Sequence, residues 1–272
     1  LVTTQGVIIA LASAPALLVM AYFGSSAFEV MGHDPAQVPL EQIYFQILMA
    51  GSVFTLIKAC LASYFSGIGR TRVVMVSDVL GALLNIPLSW LLIFGRFGLP
   101  EMGIAGAALG TVIATVFTIG IYLLFYLSAG HKRQFHVSES LRLDRPIMRR
   151  YLRLGMPSGL ETFMNVSSFN LFLLLFQSYG VVQGAAIAIV FNWDMLSFIP
   201  MIGLSIGVMS LIGRFVGAGN MAQTNQVISS GFIAALGYSS VLAILFLVFR
   251  ESLVGIFETK DANFTEIRDL AS

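Results

Sequence analysis

The sequence predicts an all-α membrane protein, a polytopic helix bundle, and three observations carry that prediction. Of 272 residues, 57% are hydrophobic and only 11% are charged, whereas a soluble domain carries about 25% charged residues. The apolar residues fall in long uncharged runs rather than short alternating ones, which selects helices over a barrel. Finally, 32 uncharged residues, Thr162 to Trp193, follow Glu161, and 19 more separate Asp194 from Arg214. At about 20 residues per crossing, that stretch forms two spans, each carrying one carboxylate near its middle.

Taken in order, the chain reads as seven helices. The first runs from about Thr4 to Phe28 and tolerates Pro15 if neighbours satisfy the freed backbone. A polar loop follows, turned by Gly32, Pro35 and Pro39. The second helix spans about Gln42 to Phe65 and contains Lys58; the third spans about Val73 to Phe94 and contains Asp78, Asn85 and Pro87. The fourth lies within Met102 to Gly130, where Gly106 and Gly110 form a small-xxx-small pair suited to close helix packing. The fifth and sixth carry Glu161 and Asp194 and are joined near Tyr179 to Gln183; the seventh occupies about Gln226 to Phe249. The stretch Gly213 to Asn220 superficially matches a nucleotide-binding glycine motif. No strand precedes it, so it reads as a helix-ending turn.

Residues 131–150 form the longest polar segment and read as a linker between 1–130, the later part of a first lobe, and 151–272, the beginning of a second. Alternate loops on the linker's side hold ten of the fifteen Lys and Arg residues: Arg70, Arg72, Lys132, Arg133, Arg142, Arg145, Arg149, Arg150, Arg153 and Arg214. The opposite side holds Arg96, Arg250, Lys260 and Arg268, and Lys58 lies within a helix. The linker side is therefore cytoplasmic. A weak repeat links Ser26–Asp34 with Ser252–Asp261, each after a long helix of the same direction. That pattern suggests two parallel lobes of about 220 residues, a common transporter plan. The chain begins inside a hydrophobic run and stops in a polar segment, so it is expected to be the middle of a longer protein.

Composition narrows the chemistry. A single cysteine, Cys60, excludes an internal disulfide and a cysteine metal cluster. His33, His131 and His136 sit in polar segments without ligand spacing, and a net charge of +1 gives no footing for nucleic acid. No cofactor and no metal site are expected, and the partners are the bilayer and a small solute. Intramembrane acids are costly, at roughly 3 kcal/mol or more when ionised, and mark cavities, partners or transported ions. The alternative is a pair of acids neutralised inside a packed bundle. Asn165 and Ser168 follow Glu161 at helical spacing and extend one polar stripe. Asp194 is expected inward at a depth similar to Glu161, and Asn192 at a helix contact. Lys58 and Asp78 are expected to pair across their hairpin as a structural bridge, because an unpaired charge at that depth is costly.

Several motifs are specific. Ser66-Gly-Ile-Gly-Arg-Thr-Arg72, Asn85-Ile-Pro-Leu-Ser89 and Gly103-Ile-Ala-Gly-Ala-Ala-Leu-Gly-Thr111 occur in order, followed by Gly155-Met-Pro-Ser-Gly-Leu-Glu161 and Gly203 to Asn220. In this series the chain resembles the multidrug and toxic compound extrusion (MATE) family. The resemblance implies two pseudo-symmetric six-helix lobes in the whole protein, with these seven helices as the third to ninth. It also implies export of organic cations in exchange for sodium or protons across the plasma membrane, by a monomer. By the same resemblance Glu161 matches the seventh-helix acid, while Asn85 and Thr111 match ligands of a first-lobe cation site. Ser89 stands where some members carry an aspartate.

Rival readings are a lipid-linked oligosaccharide flippase of related fold, a seven-helix receptor or retinal protein, and an intramembrane enzyme. A flippase cavity should be basic, yet Lys58 is the sole intramembrane base; no lysine in the last helix could hold retinal; no nucleophile–base pair accompanies the acids. If the topology holds, a cysteine introduced by His33→Cys in a Cys60→Ala background labels from outside intact cells with an impermeant reagent. One introduced by Arg145→Cys does not. The reverse pattern would overturn the orientation.

Overall fold

The structure, a computed structural model, describes residues 1–30, 35–128 and 142–256, and every regular element among them is helical. In chain order these are α1 (Val2–Ala12), α2 (Ala14–Gly24), α3 (Ala27–Val30), α4 (Val38–Gly67) and α5 (Thr71–Phe94). A 3-10 turn at Arg96–Gly98 leads to α6 (Gly103–Tyr126), and α7 (Arg145–Ser178), α8 (Val181–Gly217) and α9 (Met221–Gly255) follow. Seven stretches among the described residues are long and apolar enough to cross a membrane, with Val2–Gly24 counted as one. The protein is thus an all-α, multi-pass membrane protein. His33, His131, His136, the linker stretch 131–141 and the ends of both repeat copies (31–34 and 257–261) lie outside the described residues.

Several boundaries differ from the sequence reading; α4 starts at Val38 rather than near Gln42, with Pro39 in its first turn, where a missing N–H costs nothing, and not in the preceding loop. The first span is broken at Ser13 into α1 and α2, because Pro15 has no N–H to continue the backbone ladder. The fifth span begins at Arg145 rather than near residue 151. Asp144 caps it, its Oδ1 accepting from the Ile147 N–H at 3.0 Å, and so the charged residues 145–150 become its first turns. The sixth runs on to Gly217, and the seventh starts at Met221.

Two inter-helix turns share one construction. After α4, the Arg70 N–H donates to the Phe65 carbonyl at 2.8 Å and the Gly69 N–H to Ser66 at 3.0 Å. After α8, the Asn220 N–H donates to Phe215 at 2.9 Å and the Gly219 N–H to Val216 at 3.0 Å. This crossed pair needs a left-handed residue at the penultimate position, which Gly69 (φ +76°) and Gly219 (φ +72°) supply. The Asn220 Oδ1 then caps α9 by accepting from Gln223 N–H at 3.1 Å. The glycines of the nucleotide-motif lookalike therefore end a helix and start the next.

The chain divides into two compact units, Leu1–Leu152 and Arg153–Ser272. In the first, α4, α5 and α6 pack around Leu61, Phe65, Ile119, Tyr122 and Tyr126, with the Phe65 and Tyr122 rings stacked at 5.8 Å. The small residues of α6 set the closeness of the α5–α6 hairpin. Gly106 lies against the Leu92 backbone and Gly110 against Ser89, so the small-xxx-small pair serves packing. In the second unit, α8 and α9 are joined by the Trp193 Nε1–H donating to the Leu253 carbonyl (3.1 Å) and by the Tyr238 hydroxyl donating to the Ser197 carbonyl (2.8 Å). There α7 meets α8 through the Phe169 and Phe191 rings, 4.6 Å apart.

A methyl group at Gly106 would stand 2.6 Å from the Leu92 carbonyl carbon, while one at Gly120 meets nothing within 4 Å. Gly106→Ala is expected to cost about 1–3 kcal/mol by overpacking against backbone that cannot yield. Gly120→Ala should be neutral or slightly stabilising, because alanine favours helix. Thermal melting in detergent reads both, and equal shifts would refute this packing.

Candidate functional site

Polar groups inside the spans form two sets, one in each unit. In the first, the Lys58 Nζ of α4 lies 3.1 Å from the Asp78 Oδ1 of α5, and the Tyr122 hydroxyl of α6 donates to the same oxygen at 3.3 Å. Three spans thus meet at one carboxylate. The side chains of Lys58 and Asp78 are 32% and 41% exposed, so the pair reaches the unit's surface. Tyr122, by contrast, is fully buried in the aromatic core. The sequence reading missed Tyr122. The available signal was its spacing from Thr111, Thr115 and Thr118, at intervals of four, three and four residues along one helix face.

Along the same face of α5 as Asp78, seven and eleven residues on, stand Asn85 and Ser89, both half-buried. The Asn85 Nδ2–H donates to the Ser89 Oγ at 3.3 Å. Thr111, on α6, is exposed and its hydroxyl donates to its own Ala107 carbonyl at 3.1 Å. Among the described residues no hydrogen bond joins Thr111 to Asn85 or Ser89. Gly110, its neighbour, makes the contact with Ser89.

A second missed residue is Gln5, buried completely in α1. Its Nε2–H donates to the Arg142 carbonyl at 2.8 Å, and its Oε1 accepts from the Asp144 N–H at 3.3 Å. A fully buried amide in an apolar helix needs such partners. Gln5 therefore pins the segment that caps α7 onto α1, within the first unit.

The acids of the second unit are not brought together. The Phe169–Phe191 contact sets the register of α7 against α8. At 1.5 Å per residue, Glu161 lies about 12 Å from that level toward the Arg145 end of α7. Asp194 lies about 4.5 Å from it toward the Gly217 end of α8. The two acids are staggered by about 7–8 Å rather than level, because the Phe169–Phe191 register leaves Glu161 eight residues from that level and Asp194 only three, toward the same end of the pair. Both side chains are exposed within the unit, as are Asn165 and Asn192. Asn192 bonds back to its own Ala188 carbonyl at 2.7 Å and makes no helix contact by that amide. Asp194 lines a cavity of about 370 Å³ between α8 and α9 together with Trp193 and Arg250. Among the described residues Glu161, Asp194 and Asn165 make no side-chain hydrogen bond or ion pair.

Lys58→Met is expected to lower stability by about 1–3 kcal/mol, less than a fully buried pair would lose, because water reaches part of it. Lys58→Met combined with Asp78→Leu should recover much of that loss. A double variant no more stable than Lys58→Met would show that Asp78 is not the partner whose charge matters.

Comparison with known proteins places this arrangement. The MatE family profile matches residues 2–91 and 157–272. The chain is 32% identical over 230 residues to the probable multidrug resistance protein NorM of Thermotoga maritima, covering 84% of this chain and 48% of that protein. It is 31% identical over 226 residues to the multidrug resistance protein PmpM of Pseudomonas aeruginosa, covering 81% and 46%. In fold it matches the outward-facing conformation of a multidrug resistance MATE family transporter, with a TM-score of 0.83, 22% identity, and coverage of 99% of this chain and 59% of that one. The chain spans about half the length of the curated relatives it matches. The profile match and the NorM identity extend over both helical units, and the chain belongs to the MATE family of multidrug and toxic compound extrusion transporters.

Proposed function

We propose that the whole protein is a secondary antiporter that exports organic cations in exchange for sodium ions or protons. It works as a monomer in the plasma membrane, with the linker cytoplasmic and the two lobes alternating access. The observation that carries this reading is Glu161. It is a carboxylate without a hydrogen-bond or ion-pair partner among the described residues, and the only charge on α7 beyond Arg153. A group so placed in a span is retained for a ligand, and an anion selects cationic ones. Glu161 is the principal coupling acid, and Asp194 and Asn165 line the same unit's route at other depths. Asn85, Ser89 and Thr111 are the first unit's cation ligands.

Pro157, inside α7 four residues before Glu161, lacks the N–H that would bond to the Arg153 carbonyl, which allows the helix to bend beside the acid. A flippase for anionic lipid-linked sugars would present unpaired bases, whereas Lys58 already holds Asp78. The names of the relatives NorM and PmpM, both multidrug resistance proteins, support drugs as the substrate class.

The test is efflux of a fluorescent organic cation by the full-length protein carrying Glu161→Gln, at matched expression. Efflux is expected to fall to background and to lose its dependence on sodium or pH. Unchanged rate and unchanged ion dependence would leave Glu161 as packing. Competition by a lipid-linked oligosaccharide, without competition by organic cations, would favour the flippase.

A further inference from the structure

Lys58, Asp78 and Tyr122 do more than close a hairpin. Both oxygen contacts of Asp78, with the Lys58 ammonium at 3.1 Å and the Tyr122 hydroxyl at 3.3 Å, fall on Oδ1. The second carboxylate oxygen has no partner among the described residues. The pair is one-third to two-fifths exposed within its unit, and an intramembrane charge is kept against water, a partner or an ion rather than lipid.

The polar face leading away from the pair is rich in oxygen acceptors. The Thr111 and Thr115 hydroxyls each donate to a carbonyl one turn back, at 3.1 and 2.9 Å, and so present only oxygen lone pairs outward. One Asn85 amide hydrogen is used on Ser89, and the Asn85 carbonyl oxygen remains an acceptor. Neutral oxygens followed by a carboxylate suit a hard monovalent cation or a proton on water. From Ser89 to Asp78 the face is eleven residues long, about 16 Å at 1.5 Å per residue.

We propose that Asp78 is a cation-binding station of the first unit, where Lys58 is the resident cation and an incoming sodium ion or proton displaces it. The step is a cation exchange. Sodium binds the Asp78 oxygens, or a proton adds to one of them, and the Lys58 ammonium keeps its protons and turns into water. Lys58 on α4 and Tyr122 on α6 are the titratable groups in contact with Asp78 from the elements packed against α5. This proposal rests on the ion-coupled reading above, and adds to the first unit's neutral cation ligands a carboxylate with a resident competitor.

The experiment uses the full-length protein carrying Glu161→Gln and Asp194→Asn, which removes both acids of the second unit and keeps the two questions separate. Melting temperature is measured in sodium chloride against choline chloride, and in mildly acid against mildly alkaline buffer without sodium. A sodium-dependent shift identifies sodium, and a shift with pH alone identifies the proton; either is expected to vanish with Asp78→Asn. Lys58→Gln should lower the sodium midpoint, or move the acid midpoint toward alkaline pH, by about tenfold in cation concentration as the competitor is removed. Lys58→Arg, which keeps the charge and the fold, should raise the midpoint, because a guanidinium grips a carboxylate with two donors. The neutral Lys58→Met, Asp78→Leu pair should melt cooperatively without a cation response. No shift in the protein carrying Glu161→Gln and Asp194→Asn, or a shift that survives Asp78→Asn, would overturn the proposal and leave the pair as a fixed bridge. Efflux loss by Glu161→Gln with an intact Asp78 response would stand regardless.

Discussion

The first unit depends on the requirement that a charge inside a membrane span must have a partner. Lys58 and Asp78 belong to different helices, so satisfying either one sets the rotation of α4 against α5. Tyr122 brings α6 into the same contact, and its ring, stacked on Phe65, carries the constraint into the aromatic core. A lipid-facing surface provides little hydrophobic drive to associate helices, because lipid tails are as apolar as leucine. Specific polar contacts and close van der Waals packing then decide the geometry. Both occur along α5 here: the ion pair with α4 toward the Arg70 turn, and the contacts of Gly106 and Gly110 on α6 toward the other end.

The second unit is held by different means. Its α8–α9 hairpin relies on two hydrogen bonds from ring-bearing side chains to backbone carbonyls, from Trp193 and Tyr238. Large aromatic side chains with one polar atom suit this role, since they fill the interface and still satisfy their donor. Among the described residues no charge is used in that packing. Glu161 and Asp194 consequently stay available for ligands, while the acid of the first unit, Asp78, is engaged. The two units thus differ in how their intramembrane charge is committed, and the proposed exchange at Asp78 would make that difference part of the transport cycle.

Much of this was legible in the amino-acid order, because hydrophobic run length, the position of Lys and Arg, and helix-ending glycines are local properties. They determined the all-α class, the seven spans, the turns at Gly69 and Gly219, and the resemblance that comparison turned into family membership. The pairing of Lys58 with Asp78 was also inferable, since a short turn places both at nearly one depth. Tyr122, Gln5 and the stagger of Glu161 against Asp194 required the tertiary structure. Each depends on which residue of a distant segment arrives at a given level. That level is fixed by the register between helices and by where a cap such as Asp144 starts α7. A periodic pattern along one helix specifies a face, but not what that face meets, and so the chain's order named the acids while packing decided which of them already had a cation.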